Sequence, residues 1–139
     1  EAYELEDADY AVVMIGSAAG TTKDAIDALR AQGKKVGLLK IRLFRPFPRE
    51  EIAAALKHTK AVAIMDRAES LNGQGGPLGA EVMAALYRAK ADTLAMNYIY
   101  GLGGRDVRVE HMESVFAQLE EAAEKQDAGE MYRYLGLRE

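Results

Sequence analysis

The chain has 139 residues, and its 18 Lys and Arg against 22 Asp and Glu give a net charge of −4. This length suits one compact domain, and mild acidity argues against a dedicated nucleic-acid binder, which needs clustered positive charge. The chain has no cysteine, which excludes disulfides, cysteine-ligated zinc and iron–sulfur clusters from it, and no apolar run approaches the ~20 residues of a membrane-spanning helix. Because the first residue is Glu1 rather than Met, we expect a piece of something longer.

The first third of the chain predicts a strand, a helix and a second strand. Residues 1–9 are polar and acidic and suggest a linker, and YAVVMI (Tyr10–Ile15) is typical of a strand covered on both faces. After the turn GSAAG, Thr21 or Thr22 is a plausible helix cap. The helix that follows should end near Gly33, with one apolar face made by Ala25, Ile26 and Leu29.

The second strand, Val36–Leu39, changes character at its end, where Lys40 and Arg42 alternate with apolar residues. A buried parallel strand should not carry two cations on one face, so we expect its carboxyl end to project beyond the covering helices. Pro48 suits the first turn of a helix that buries Ile52 and Leu56.

The rest of the chain repeats the alternation of strands and helices. Further strands are predicted at Ala61–Met65 and Thr93–Tyr98, with Val107 a possible short fifth strand. Two helices follow the apolar spacings Leu78, Val82, Ala85, Leu86 and Met112, Val115, Phe116, Leu119, Ala123. Such alternation predicts a three-layer α/β/α domain over residues 10–126, built on an open, mostly parallel sheet, and residues 127–139 are expected to form a docking tail.

Ligands of open α/β sheets bind outside the carboxyl ends of the strands, and GSAAG lies at such a position. Its backbone N–H groups favour an anion, which makes Gly16, Ser17, Gly20 and Thr21 candidates for an anion-binding loop. The alternative is a simple tight turn. Dinucleotide binding is disfavoured because Ala18 replaces the second glycine of the G-x-G-x-x-G fingerprint.

A second candidate site follows the third strand. Asp66, Arg67 and Glu69 favour an ion-pair cluster, either within the domain or across an interface. A phosphoacceptor site is disfavoured, since the loop after the first strand has no acids to hold magnesium. No H-E-x-x-H or G-x-S-x-G motif is present, so these residues offer a crevice of mixed charge with neither a nucleophile–base pair nor a metal site.

Three segments together carry a family resemblance: LLKIRLFRPFP (residues 38–48), AIMDRAESLNGQGGPLGAEVMAALY (residues 63–87) and GLGGRDV (residues 101–107). They resemble the carboxyl-terminal domain of the α subunit of pyruvate:ferredoxin oxidoreductase and its 2-oxoacid relatives, and the opening VVMIGSAAGTTKDAID is similar to the start of that domain. The resemblance implies a fold like the transketolase carboxyl-terminal domain.

It also implies membership of an oxygen-sensitive cytoplasmic enzyme that uses thiamine diphosphate with Mg²⁺ to decarboxylate a 2-oxoacid. The acyl group passes to coenzyme A, and electrons pass through [4Fe–4S] clusters to ferredoxin. The implied partners are the pyrimidine-binding domain of the same subunit, other subunits and ferredoxin, with neither nucleic acid nor membrane. Because the family holds its cofactors elsewhere, no catalytic, cofactor-binding or metal-binding residue is assigned to this chain.

The unexpected charge at the ends of the strands suggests that this domain has a role in assembly. We expect Arg42, Arg45, Asp66, Arg67 and Glu69 to dock against a neighbouring domain or subunit. Two other functions stay open: a stand-alone module that binds anions or the phosphates of coenzyme A through GSAAG and the arginines, and a free-standing interaction domain.

Overall fold

The computed structural model describes residues 2–14, 19–41, 49–67, 77–100, 107–125 and 132–134. Six strands and four helices are defined in these ranges. The strands are β1 (Ala2–Tyr3), β2 (Tyr10–Met14), β3 (Val36–Lys40), β4 (Ala61–Arg67), β5 (Leu94–Tyr100) and β6 (Tyr132–Tyr134). The helices are α1 (Ala19–Ala31), α2 (Arg49–Leu56), α3 (Pro77–Arg88) and α4 (Val109–Lys125).

All six strands join one sheet in the order β1-β3-β2-β4-β5-β6. The five strands from β3 to β6 are parallel, and only β1 runs antiparallel, pairing Ala2 with Leu39 of β3. From β2 the chain first moves to β3 on one side and later to β4 on the other, so the order of the strands reverses at β2. The predicted mostly parallel sheet is confirmed, and its switch point lies between β2 and β4.

Helices cover both faces of the sheet and produce two cores. Val12 and Met14 of β2 face α1 and α4, whereas Ala11 and Val13 face α2 and α3. Because successive side chains of a strand point to opposite faces, a strand covered on both sides must be apolar throughout, as β2 is. The predicted three-layer α/β/α fold is therefore confirmed.

The predicted helix faces also match the structure, with small shifts. Gly33 has a φ of +89°, a left-handed conformation that ends α1 at low cost for glycine. In α4 the buried alanine is Ala122, and Ala123 is half-buried. The prediction that Thr21 or Thr22 caps α1 is wrong, because the helix already begins at Ala19 and the Thr22 hydroxyl is buried, 3.5 Å from Met14 Sδ.

Three predictions at the margins of the domain differ from the structure. Residues 1–9 include β1 and bury Leu5 and Ala8, so part of the proposed linker packs as domain. Val107 belongs to no strand. The sixth strand comes from the tail instead, since Tyr132–Tyr134 pairs with β5. Backbone pairing of such short segments depends on partners that are distant in sequence, which local patterns do not show.

Arg30 fastens the N-terminal segment to the sheet. Its Nη2 donates to the Glu4 carbonyl oxygen and to Asp7 Oδ1, both at 2.7 Å, and its Nε donates to the Val36 carbonyl oxygen at 3.0 Å. The hydrogen bond from Arg30 lowers the pKa of Asp7. Gly37 allows the close approach of this segment, because a Cβ there would lie 2.6 Å from the Glu4 carbonyl oxygen.

Candidate site at the carboxyl edge of the sheet

The four central strands end at one edge of the sheet. Met14, the last residue of β2, pairs with Lys40 of β3 and Met65 of β4, and Arg67 at the end of β4 pairs with Tyr100 at the end of β5. The segments that follow these strands therefore start at the same edge, as the sequence predicted.

The candidate residues fall into two groups. Gly20, Thr21, Asp66 and the backbone of Arg67 lie among the described residues, and Gly16, Ser17, Arg42, Arg45 and Glu69 lie outside them. The proposed site can therefore be examined at Asp66 and at the start of α1.

Asp66 is the buried acid of this edge. Its side chain is on the sheet face that α3 covers, and the residue is 4% exposed. Oδ1 accepts from the backbone N–H of Leu78 at 3.1 Å, and Oδ2 accepts from that of Gly79 at 2.9 Å. Because Pro77 opens α3 and has no N–H, these are the first two N–H donors of the helix. The carboxylate thus serves as a cap supplied by a neighbouring strand.

Asn97 completes the arrangement and was not singled out from the sequence. Its Nδ2 donates to Asp66 Oδ2 at 3.1 Å and to the Ile64 carbonyl oxygen at 2.8 Å, and the residue is 1% exposed. The available signal was an amide within the apolar strand LAMNYIY, since a buried amide needs partners.

Gly79 lets α3 reach this pair. A Cβ at Gly79 would overlap Asn97 Oδ1 and would lie 2.6 Å from Asn97 Cγ, which is closer than real Cβ contacts come. Gly79 and Asn97 are thus matched in size, and α3 can approach the sheet only because position 79 lacks a side chain.

The start of α1 differs from that of α3. Its first turn carries no acidic side chain. Gly20 is exposed with no atom within 4 Å of a Cβ built there, and Thr21 is half-buried. Glycine is therefore not required at position 20 by crowding.

The two histidines have local roles. His111 Nδ1 accepts from the backbone N–H of Arg108 at 3.1 Å at the start of α4, and His58 Nε2 lies 2.9 Å from the Leu5 carbonyl oxygen. Within the described ranges, no three His, Asp or Glu side chains are grouped so as to hold a metal ion. No helix there is long and apolar enough to cross a membrane.

In the part of this edge that the structure describes, both oxygens of the Asp66 carboxylate accept hydrogen bonds from within the chain. An anion would not fit at the start of α3, because the negative charge of Asp66 already occupies its first donors. Asp66 holds a helix to the sheet, and its role at an interface stays a prediction.

Comparison with known proteins identifies relatives. Residues 8–112 match the family model for pyruvate:ferredoxin oxidoreductase core domain II. The pyruvate synthase subunit PorA of Thermotoga maritima is 44% identical over 139 residues, which cover 100% of this chain and 34% of that protein. The ketoisovalerate oxidoreductase subunit VorA of Pyrococcus furiosus is 43% identical over 120 residues, which cover 86% of this chain and 30% of that protein.

A solved structure shares the fold. The 2-oxoglutarate:ferredoxin oxidoreductase of Magnetococcus marinus, solved with 2-oxoglutarate, coenzyme A and succinyl-CoA bound, aligns with a TM-score of 0.64 at 22% identity. The alignment covers 88% of this chain and 19% of that one. The chain spans about a third of the length of the curated relatives it matches. Since the family model covers well over half of the chain, the chain belongs to the pyruvate:ferredoxin oxidoreductase family and corresponds to its core domain II.

Proposed function

We propose that this chain is a non-catalytic domain of a 2-oxoacid:ferredoxin oxidoreductase α subunit and supports assembly of that enzyme. The whole enzyme would convert a 2-oxoacid, coenzyme A and oxidised ferredoxin into acyl-CoA, CO₂ and reduced ferredoxin. The observation that carries the proposal is the match of residues 8–112 to core domain II. Pyruvate is the first oxoacid to test, because a pyruvate synthase subunit is 44% identical along the full chain.

The geometry of Asp66 supports a structural role. A general base or a metal ligand needs a carboxylate oxygen directed at its substrate or ion, whereas both oxygens of Asp66 are buried and accept hydrogen bonds from Leu78, Gly79 and Asn97. Its contacts join α3 to β4 and β5 and so give the domain a fixed shape that a partner can bind.

We assign the cofactors to other parts of the enzyme. Thiamine diphosphate with Mg²⁺ and the [4Fe–4S] clusters would be held there, and coenzyme A would be bound there as substrate. The partners would be the pyrimidine-binding domain of the same subunit, further subunits and ferredoxin, and the location would be cytoplasmic. The names of PorA and VorA as subunits support a multi-subunit assembly.

Purification of the native complex tests this function. The complex should contain thiamine diphosphate and iron–sulfur clusters and should reduce ferredoxin in a reaction that requires both coenzyme A and a 2-oxoacid. Pyruvate, 2-ketoisovalerate and 2-oxoglutarate are compared at equal concentration. A complex that contains this chain but shows no oxoacid-dependent reduction of ferredoxin would refute the proposal.

Charge reversal tests the predicted docking residues. Arg42→Glu and Arg45→Glu should each weaken subunit association, because interface ion pairs fix orientation and like charges repel. Lys35→Glu is the matched control, since Lys35 is exposed and carries the same charge. Analytical ultracentrifugation measures association, and circular dichroism confirms folding. Association unchanged in both arginine variants would show that these arginines do not dock.

The second candidate is an anion-binding module, favoured by the acid-free first turn of α1 and the exposed Gly20. Titration with inorganic phosphate or coenzyme A should then give saturable shifts of the Gly20 and Thr21 amide resonances. A flat titration would remove this candidate and leave the assembly role.

A further inference from the structure

A groove between α2 and α3 lies on the outer surface of the domain. This α2–α3 groove has a volume of about 400 Å³ and is lined by Arg49, Glu50, Ala53, Ala54, Lys57, Ala85, Arg88 and Ala89. Four of these residues are alanines, of which Ala53 and Ala85 are buried, Ala54 is exposed and Ala89 is half-buried. On each helix the lining residues include pairs three or four positions apart, which lie on one face of the helix. Because many of these side chains are small, they leave a groove between α2 and α3.

The charge of the groove is opposite in sign to that of the chain. Three cations and one acid line it, although the whole chain has a net charge of −4. Arg49 forms an ion pair with Glu81 at 3.4 Å. Within the described part of the chain, Lys57 and Arg88 form neither an ion pair nor a side-chain hydrogen bond. Both lie at the ends of helices, where a cation also complements the helix dipole, and their charge remains available to a partner.

The lining of the groove indicates the chemistry of the occupant. Arg49 and Lys57 are eight residues apart on a helical path, since the Lys57 N–H still donates to the Ala53 carbonyl oxygen. At 1.5 Å per residue their backbones are about 12 Å apart. Because Arg49 is already paired with Glu81, Lys57 and Arg88 are the cations that a partner would meet in the groove. The alanines beside them provide apolar contact that a single phosphate or carboxylate would not use. This lining suits a segment that carries both acidic and apolar side chains.

We propose that the α2–α3 groove binds an acidic segment of another subunit in the assembled enzyme. The alanines would accept apolar side chains of that segment, and Lys57 and Arg88 would face its carboxylates. This is a helix-in-groove or extended-segment mode in which shape provides contact and charge provides register and selectivity. The inference rests on the proposed function, because it assumes that the domain operates within a multi-subunit enzyme.

Charge reversal in the purified complex tests the groove. Lys57→Glu combined with Arg88→Glu should weaken subunit association at least tenfold and reduce its dependence on salt, because both cations would oppose the acidic segment. The control is a variant with Lys35→Glu and Lys125→Glu, which makes the same total charge change outside the groove. Equal association of groove and control variants would overturn the inference.

Photocrosslinking identifies the occupant. A photoreactive amino acid at the exposed Ala54 should crosslink to a peptide of a different subunit that is rich in Asp and Glu, whereas one at the exposed Ala117 of α4 should not. A crosslink to the same subunit, to a second copy of this chain or to a basic segment would overturn the inference, as would no crosslink above the Ala117 control. A complex that lacks oxoacid-dependent activity would instead refute the proposed function, and an active complex with unaffected groove variants would refute only the groove.

Discussion

Replacing Asp66 with Asn isolates the electrostatic part of its role, because the two side chains have nearly the same shape. The carboxylate accepts three hydrogen bonds, from the N–H groups of Leu78 and Gly79 and from Asn97 Nδ2. Asparagine has one oxygen and one NH₂ group. If its oxygen takes the Oδ2 position, the bonds from Gly79 and Asn97 are kept, and its NH₂ group then faces the Leu78 N–H. One buried donor loses its acceptor and meets another donor.

The magnitude follows from these contacts. A buried donor left without a partner costs about 1–3 kcal/mol, and the loss of a negative charge at a helix N-terminus costs about 0.3–1 kcal/mol. We therefore expect Asp66→Asn to lower the free energy of unfolding by about 2 kcal/mol. Asp66→Ala should lower it by about 3–5 kcal/mol, because three donors lose their acceptor.

Urea unfolding of the 139-residue chain, followed by circular dichroism, measures this cost. Asp92→Asn is the control, since Asp92 is exposed and a surface change should stay within about 0.5 kcal/mol. Hydrogen exchange should also become faster at the Leu78 amide in Asp66→Asn, because this N–H loses its acceptor. If Asp66→Asn costs no more than Asp92→Asn, the carboxylate does not hold α3 to the sheet.

Two further predictions concern the N-terminal segment. Gly37→Ala should lower the free energy of unfolding by about 1–3 kcal/mol, measured with urea, because the new Cβ meets the backbone of Glu4 and Leu5. Gly20→Ala is the control, since a Cβ at position 20 has open space and should leave the free energy of unfolding unchanged or raise it. Equal effects of the two substitutions would contradict the close approach of the N-terminal segment to Gly37. The pKa of Asp7 is lowered by the hydrogen bond from Arg30, so its stabilising contribution is present above the unfolded pKa and is lost as pH falls below about 4. Thermal unfolding from pH 6 to pH 2 should therefore depend less on pH in Asp7→Asn, and parallel curves for the two proteins would count against the Arg30 contact.

The layers of the fold were predictable because each element carries its own periodicity. YAVVM is apolar on both faces and forms the buried β2, and the spacing of Met112, Val115, Phe116 and Leu119 identifies the buried face of α4. Burial of apolar surface dominates the free energy of folding, so these patterns directly reflect the forces that place the elements. The family resemblance was visible for the related reason that its motifs occur in the expected order.

The elements that prediction missed depend on contacts between distant residues. β1 and β6 have two and three residues, respectively, and exist because the edges of β3 and β5 offer them backbone partners. Thr22 looked like a helix cap from its position after a glycine turn, yet it lies beside Met14 Sδ in the core. A threonine near the start of a helix can either cap the helix or lie in the core. Only the packing of α1 on β2 decides which of the two positions it takes.

The candidate site also depends on contacts between residues that are distant in sequence. Asp66 was visible as a polar residue after a strand, and Asn97 was visible as an amide within one. Their contact requires the parallel register that sets Asn97 opposite Ile64, together with a glycine at position 79 that lets α3 descend onto the pair. An acid at the end of a parallel strand normally suggests a ligand site, because that edge is where open sheets bind ligands. Here the first N–H donors of α3 occupy that position, so the buried charge of Asp66 stabilises the domain's own structure. Because Asp66 fixes the start of α3 to β4 and β5, this part of the edge is better suited to keep a constant shape for a partner than to bind and release an anion.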